Sequence, residues 1–304
     1  MAKRILVAGS SNIDFVLSTP YVPAPGETLI SNGNYALTPG GKGANAAVAA
    51  AALGADVVFC SRVGDDAYGD NLISLFQQKG IDTRYVKVDR TEQTGLGAVM
   101  VEKDGTNRII VYSGANAKIN DSDVEEAFNS YPDAVLTQFE MRPEAVIAAA
   151  KRANYEGIPF IVDAGAITKG FPLKQLEKVE IFSPNENECE IITGIRPNNL
   201  ENCLRASIAL CNMVDIKYVV LKLGARGCHV YDGKYCNLIS PCEVPVVDTT
   251  AAGDVFTAAL AVEYLRTDDI LAAARFANAA GALTVSKKGA VNAVPTLEEV
   301  RNML

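Results

Sequence analysis

Short apolar runs alternate with helix-length runs along most of this chain, and that alternation limits the folds open to it. Strand-like runs stand at residues 5–8, 57–60, 134–137, 160–163, 181–183 and 218–221. Helical patterns lie between and beyond them. Residues 66–79 end at Gly80, residues 143–155 end near Gly157, and the Ala-rich run 270–284 has no proline to break it. Strands this short and this apolar are those of a sheet covered on both faces, with crossover helices joining parallel strands. The predicted architecture is α/β: a central, mainly parallel sheet flanked by helices, with residues 5–8 as a central strand. Two segments break the pattern. Residues 12–38 read as loop and strand, with Pro20, Pro23, Pro25 and Gly26. Residues 95–112 read as a hairpin turning at Asp104-Gly105. Together they predict a small β-sheet lid, which would exclude water from a reacting ligand; an edge sheet without that role fits equally.

A length of 304 residues suits one large domain, 1–304, and 49% apolar residues suffice for a sizeable core. No uninterrupted apolar run reaches the roughly 18 residues of a membrane span, and Met-Ala-Lys-Arg leads straight into the first strand with no signal-peptide pattern. A net charge of −8 with scattered basic residues argues against a nucleic-acid backbone as partner. The seven cysteines (60, 189, 203, 211, 228, 236 and 242) include no Cys-x-x-Cys pair, so free thiols in a reducing cytoplasm are expected. The single histidine, His229, lies in a strand-like run beside Cys228, poor spacing for a metal site and a weak basis for histidine catalysis.

Five segments are candidates to carry chemistry. In Asp248-Thr-Thr-Ala-Ala-Gly-Asp254, small residues join an expected strand at 244–247 to a helical run at 255–265. Free amides at a helix start bind anions, so Ala251, Ala252 and Gly253 form a candidate phosphate cradle. Asp254 beside it is a candidate base for an attacking hydroxyl, or simply a first-turn acid stabilising the dipole. Gly40-Gly-Lys-Gly-Ala-Asn45 is not a Walker A loop, since Gly43 follows the lysine. Gly40, Gly41 and Gly43 allow close approach of a ligand, Lys42 suits a phosphate and Asn45 a polyol; a plain loop before an interior helix is the alternative. Asn12 and Asp14 follow the first strand, where open α/β sheets bind ligands, and their amide and carboxylate suit sugar hydroxyls; a turn or cap role suits Asp14 equally. Asn185 and Glu188 read as a helix cap or as phosphate-side contacts, and Leu223-Gly224-Ala225-Arg226-Gly227 as a turn or a nucleotide contact.

Taken jointly and in order, these segments resemble the ribokinase family, the phosphofructokinase-B type of sugar kinase, over essentially the whole chain. Segments 40–45 and 248–254 match its two signatures, and 9–14, 63–69 and 113–116 add to the likeness. The resemblance implies a ribokinase-like fold and ATP-dependent phosphorylation of the 5-hydroxyl of D-ribose. Deoxyribose, a ketose or a nucleoside are alternative substrates within the family, and a non-catalytic sugar- or nucleotide-binding regulator is the alternative outside enzymes. It implies Asp254 as base, the amides of Ala251, Ala252 and Gly253 as anion hole, and Asn12, Asp14, Gly40, Gly41, Lys42, Gly43, Asn45 and Glu140 on the sugar. Asn185, Glu188, residues 223–227, Gly253 and Asn278 would lie along ATP, with magnesium accompanying it. Potassium would be held by Asp248, Thr250, Thr284, Lys287 and Gly289, mostly through backbone oxygens. Two positions depart from the pattern: Ala293 where a serine is common, and Asp163-Ala-Gly-Ala166 where an Asn-Pro-Ala-Pro type segment is common. An exposed lid sheet also suggests a homodimer.

Overall fold

A computed structural model describes residues 2–31, 33–103 and 106–304. The chain opens with β1 (Arg4–Ala8), β2 (Asn12–Ser18), β3 (Tyr35–Gly40), α1 (Lys42–Ala52) and β4 (Asp56–Gly64). It continues through α2 (Ala67–Gln78), β5 (Val86–Asp89), β6 (Gly95–Val101), β7 (Asn107–Tyr112), α3 (Asp121–Ala127) and β8 (Ala134–Thr137). Next come α4 (Pro143–Glu156), β9 (Phe160–Asp163), β10 (Lys178–Ser183), α5 (Glu186–Thr193), α6 (Leu200–Met213) and β11 (Asp215–Lys222). Last are β12 (Cys228–Tyr231), β13 (Cys236–Ile239), α7 (Ala252–Thr267), α8 (Ile270–Val285) and α9 (Leu297–Met303).

The large sheet has the order β13-β12-β11-β10-β9-β8-β1-β4-β5. Its strands run parallel except that β12 is antiparallel to both β11 and β13. As expected, β1 is central. Its alternation is legible in the cores: Ile5 and Val7 join the cluster with α1, α2, α7, α8 and α9, while Leu6 and Ala8 join that with α3, α4, α5 and α6. All four are fully buried. Each large apolar side chain so buried contributes roughly 1.5–3 kcal/mol. Small residues bring the helices close: α1 is mostly alanine and packs on both β4 and α7. Asp66 caps α2 by accepting from the Gly69 amide at 2.9 Å, and Gly157, at φ 68°, ends α4.

The small sheet has the order β3-β2-β6-β7, with β2 and β6 parallel and the outer pairs antiparallel. It matches the two segments expected to form a lid; the Asp104-Gly105 turn lies outside the described residues. One expectation fails. Residues 244–247 form no strand. Pro245 has no N–H for a ladder, and Val246 and Val247 are exposed at 68% and 60%. The segment is instead tied to the end of α8, where the amides of Val247 and Asp248 donate to the Val285 carbonyl at 2.7 and 3.2 Å. Helix α7 also starts before residue 255, at Ala252, which puts Asp254 in its first turn.

Candidate active site

The chain leaves β1 toward the lid and returns to β4 on one side, while β8 lies on the other; the crevice beyond the carboxyl ends is thus at a switch point. Ser10 follows β1, Glu140 follows β8, and Asp163, Ser183 and Lys222 end β9, β10 and β11. Two glycine backbones cross closely at its floor. A Cβ on Gly43 would lie 2.4 Å from the Gly9 carbonyl carbon, so only glycine lets α1 begin there. Gly41, the N-cap at φ 90°, supplies no side-chain cap. Glu140 serves instead, accepting from the Lys42 amide at 3.0 Å and from the Ser10 hydroxyl.

On the small-sheet side, Asp14 of β2 stands opposite Gly97 of β6 and beside Gly40 of β3. A Cβ on Gly40 would sit 2.1 Å from its Oδ2, and one on Gly97 2.3 Å from its Oδ1. Burial pushes this carboxyl up to about 6, aided by the charges of Glu140 and Asp254 and opposed by Lys42. Asn12 is buried, and its Oδ1 accepts from Asn116 Nδ2 at 2.8 Å, which leaves its amide N–H groups for a ligand. Asn116 is itself fixed by accepting from the Ser11 amide at 2.8 Å.

Asp254 joins the two sides. Its Oδ2 accepts from Asn45 Nδ2 at 2.8 Å, and its Oδ1 lies 3.7 Å from Lys42 Nζ. Burial pushes the Asp254 carboxyl up, against the pull of Lys42, and the Asp254 carboxylate holds the Lys42 ammonium protonated. The Lys42 arm passes over Gly165, where a Cβ would sit 2.7 Å from its Cδ. Ala251 adopts a left-handed conformation, φ 61°, and turns the chain into α7. The Ala252 amide is taken by the Thr249 carbonyl at 3.3 Å. No backbone acceptor engages the amides of Gly253 or Asp254 among the described residues, so the first turn offers them to an anion.

Beside this turn opens a cleft of about 420 Å³, lined among others by Lys42, Asn185, Glu188, Gly224, Gly253 and Asp254. Asn185 and Glu188 do form a capping box: Asn185 Oδ1 accepts from the Glu188 amide at 2.9 Å, and Glu188 Oε2 from the Asn185 amide at 2.8 Å. They line the cleft as well, so the cap role does not remove them from it. Burial raises the Glu188 carboxyl, opposed by Lys222. Residues 223–227 divide. Leu223 is buried, Ala225 is exposed, and Arg226 turns to Glu186 at 2.5 Å and the Pro197 carbonyl at 2.6 Å. Gly227 passes against the Ile239 carbonyl, 2.0 Å from where a Cβ would stand. Asn278 does not line the cleft; it donates to the Ser240 carbonyl at 3.0 Å and ties α8 to the chain after β13.

The residues expected at a monovalent cation do converge. Asp248 Oδ1 accepts from the Thr250 amide and hydroxyl at 2.9 and 2.6 Å, and its Oδ2 from the Gly289 amide at 2.9 Å. Thr284 and Lys287 stand at the same turn, where the Lys287 amide donates to the Thr284 carbonyl at 3.1 Å. The Thr284 hydroxyl is spent on the Ala280 carbonyl, and Lys287 Nζ on Glu299. His229 is buried in β12, away from the cleft lining, and the seven cysteines are unpaired.

Sequence reasoning missed a polar cluster behind Gly253. Lys222 Nζ donates to Asp163 Oδ2 at 2.6 Å and to Thr257 Oγ1 at 3.4 Å, and the Thr257 hydroxyl donates to the same Asp163 oxygen. The available signal was a charged residue closing an apolar strand, twice, at the end of the sheet where ligands bind.

The pfkB family carbohydrate kinase model matches residues 2–297. The chain is 37% identical to the ribokinase of Haemophilus influenzae, over all of this chain and 99% of that one. It is 29% identical to the deoxyribokinase of Salmonella typhi, over 99% and 98%. The structure of Arabidopsis thaliana ribokinase complexed with ribose and ATP superposes with a TM-score of 0.91 at 34% identity, covering 100% of this chain and 99% of that one. With its parallel sheet, separate small sheet and matched signatures, the chain belongs to the pfkB family of carbohydrate kinases.

Proposed function

We propose that residues 1–304 work as one domain that transfers the γ-phosphoryl group of ATP to the 5-hydroxyl of D-ribose. The observation that carries this is Asp254: a buried carboxylate gripped by Asn45 and Lys42, beside the open amides of Gly253 and its own first turn. Asn12, Asp14 and Glu140, from the lid and the ends of β1 and β8, surround the place where a polyol meets that carboxylate. The glycines at 40, 41 and 43 let it approach the backbone. Ribose lies there with its 5-hydroxyl toward Asp254. The hydroxyl oxygen attacks the γ-phosphorus in line, its proton passes to Asp254, and the bond to the β-phosphate oxygen breaks to release ADP. The α7 amides hold the charge that develops on the phosphoryl oxygens. The nucleotide lies along the cleft past Asn185, Glu188 and Gly224. Magnesium would come with ATP, reached through water by Asn185 and Glu188, and would supply positive charge to the phosphates. Potassium would be held by carbonyl oxygens at 248–250 and 284–289, drawn together by Asp248, and would steady the anion hole electrostatically.

The lid closes over the sugar, and two lids pair to make a homodimer, a reading supported by the exposed side chains of Ile109 and Ile110 on β7. No helix among the described residues is long and apolar enough to cross a membrane. Unpaired thiols support a cytoplasmic location. ATP consumption over a panel of ribose, deoxyribose, ketoses and nucleosides tests the substrate. Ribose is expected to give the highest kcat/KM; preference for another sugar moves the specificity, and turnover with none refutes a kinase. Asp254→Asn is expected to lower kcat by about 10² to 10⁴, the usual share of general-base catalysis. Near-normal turnover in that variant would remove Asp254 from the role of base.

A further inference from the structure

We propose that Lys222 is a further catalytic residue, contacting the transferring phosphoryl group, and that Asp163 and Thr257 position it; this rests on phosphoryl transfer taking place above Gly253. The three residues come from different parts of the fold, and their side chains meet at the floor of the nucleotide cleft. Lys222 ends β11 and Asp163 ends β9, while Thr257 lies one turn into α7. The Lys222 ammonium lies 3.5 Å from where a Cβ on Gly253 would stand, close to the amide that an anion would use. Its side chain is only 10% exposed, yet it lines the cleft.

Donor accounting shows where it is aimed. Asp163 is engaged through both oxygens: Oδ1 accepts from the Gly165 amide at 2.8 Å, and Oδ2 accepts from Lys222 and Thr257. An ammonium has three N–H donors. Asp163 takes one and Thr257 Oγ1 a second, at 2.6 and 3.4 Å, and the third is left on the side where the cleft opens. Buried ion pairs are poor stabilisers compared with apolar residues of the same volume, so stability alone explains this pair badly. A cation held beforehand, with little water around it, is what the equatorial oxygens of a transferring phosphoryl group call for.

The test uses the full-length chain and the pair of variants Lys222→Gln and Asp163→Asn/Lys222→Gln. The single variant leaves Asp163 buried without its cation and is expected to unfold more easily. The double variant removes both charges and is expected to unfold near the temperature of the unaltered chain. If Lys222 only neutralises Asp163, the double variant regains full turnover, and that result overturns the proposal. The expected result is a kcat lowered by about 10² or more, the usual effect of losing one donor to a developing oxyanion, with KM for the sugar unchanged. Binding of ATP and of adenosine is measured alongside. The double variant is expected to lose affinity for ATP at least several-fold and none for adenosine; equal affinities to the unaltered chain overturn the proposal. If the unaltered chain phosphorylates no sugar, the kinase reading fails, while the ATP-against-adenosine comparison still decides for or against Lys222 as a phosphate contact.

Discussion

Asp14 is the residue whose ionisation most directly couples this site to solution conditions. Burial raises its carboxyl to about 6, and the charges of Glu140 and Asp254 push the same way, against Lys42. The folded chain therefore holds this proton more tightly than the unfolded chain does. The stability it contributes is fully present below the ordinary value of 3.8 and is lost as pH rises through about 6. A sugar held by Asp14, as proposed, would bind the other way, because ionisation frees both oxygens to accept and its charge strengthens each hydrogen bond. KM for ribose is expected to fall as pH rises from 5 to 7 and to level off above about 6. Asp14→Asn is expected to raise KM and flatten that profile. Initial rates across sugar concentrations at fixed ionic strength decide it; a flat profile in the unaltered chain would show that Asp14 does not titrate against the sugar.

The lid strands carry Asp14 as a unit, and their glycines follow from the register. Asp14 is paired with Gly97 across β2 and β6, and Asn12 with Gly95 on one side and Gly40 on the other. A methyl at position 97 would stand 2.3 Å from an Asp14 oxygen, whereas Gly43 faces backbone at 2.4 Å in the core. Gly97→Ala is thus expected to raise KM for the sugar about tenfold with little change in Tm, because the Asp14 side chain can rotate away. Gly43→Ala is expected to lose about 1–3 kcal/mol and lower Tm by several degrees, because backbone on both sides cannot. Thermal unfolding and sugar KM measured on both variants separate the two; equal Tm losses would mean the lid is as rigidly packed as the core. At this scale the sequence was mostly legible. Strands such as Ala134–Thr137 and Phe160–Asp163, and helix α4, are local patterns of apolar period, proline and glycine. The run at 244–247 misled because its composition is strand-like while Pro245 and the lack of a neighbouring strand decide otherwise. The pairing of Asp163 with Lys222 and of Asn12 with Asn116 was not legible, since the partners are 59 and 104 residues apart and only the sheet order joins them.

Across the whole molecule the two sheets differ in cover. The large sheet has helices on both faces, as its two cores show. The small sheet leaves Tyr35, Leu37, Ile109, Ile110, Val111 and Tyr112 exposed at 47–69%, grouped on its two outer strands. Tyr35, Leu37, Ile110 and Tyr112 share the face away from Asp14; large apolar side chains beside unpaired strand edges are costly in water, and a second copy with the same surface would cover them with closed two-fold symmetry. Repulsion between two chains of net charge −8 opposes this, but a contact through the small sheet would be made where apolar residues dominate. The unaltered chain is therefore expected to sediment at micromolar concentration with twice the mass of one chain, and more firmly as salt rises. Leu37→Lys/Ile110→Lys would place four like charges at such a contact, on the face away from Asp14, and is expected to give single chains. If dimerisation also steadies the lids, those single chains bind ribose more weakly at an unchanged nucleotide affinity. A single-chain mass for the unaltered protein, or a dimer that ignores the two lysines, would place the contact elsewhere or remove it.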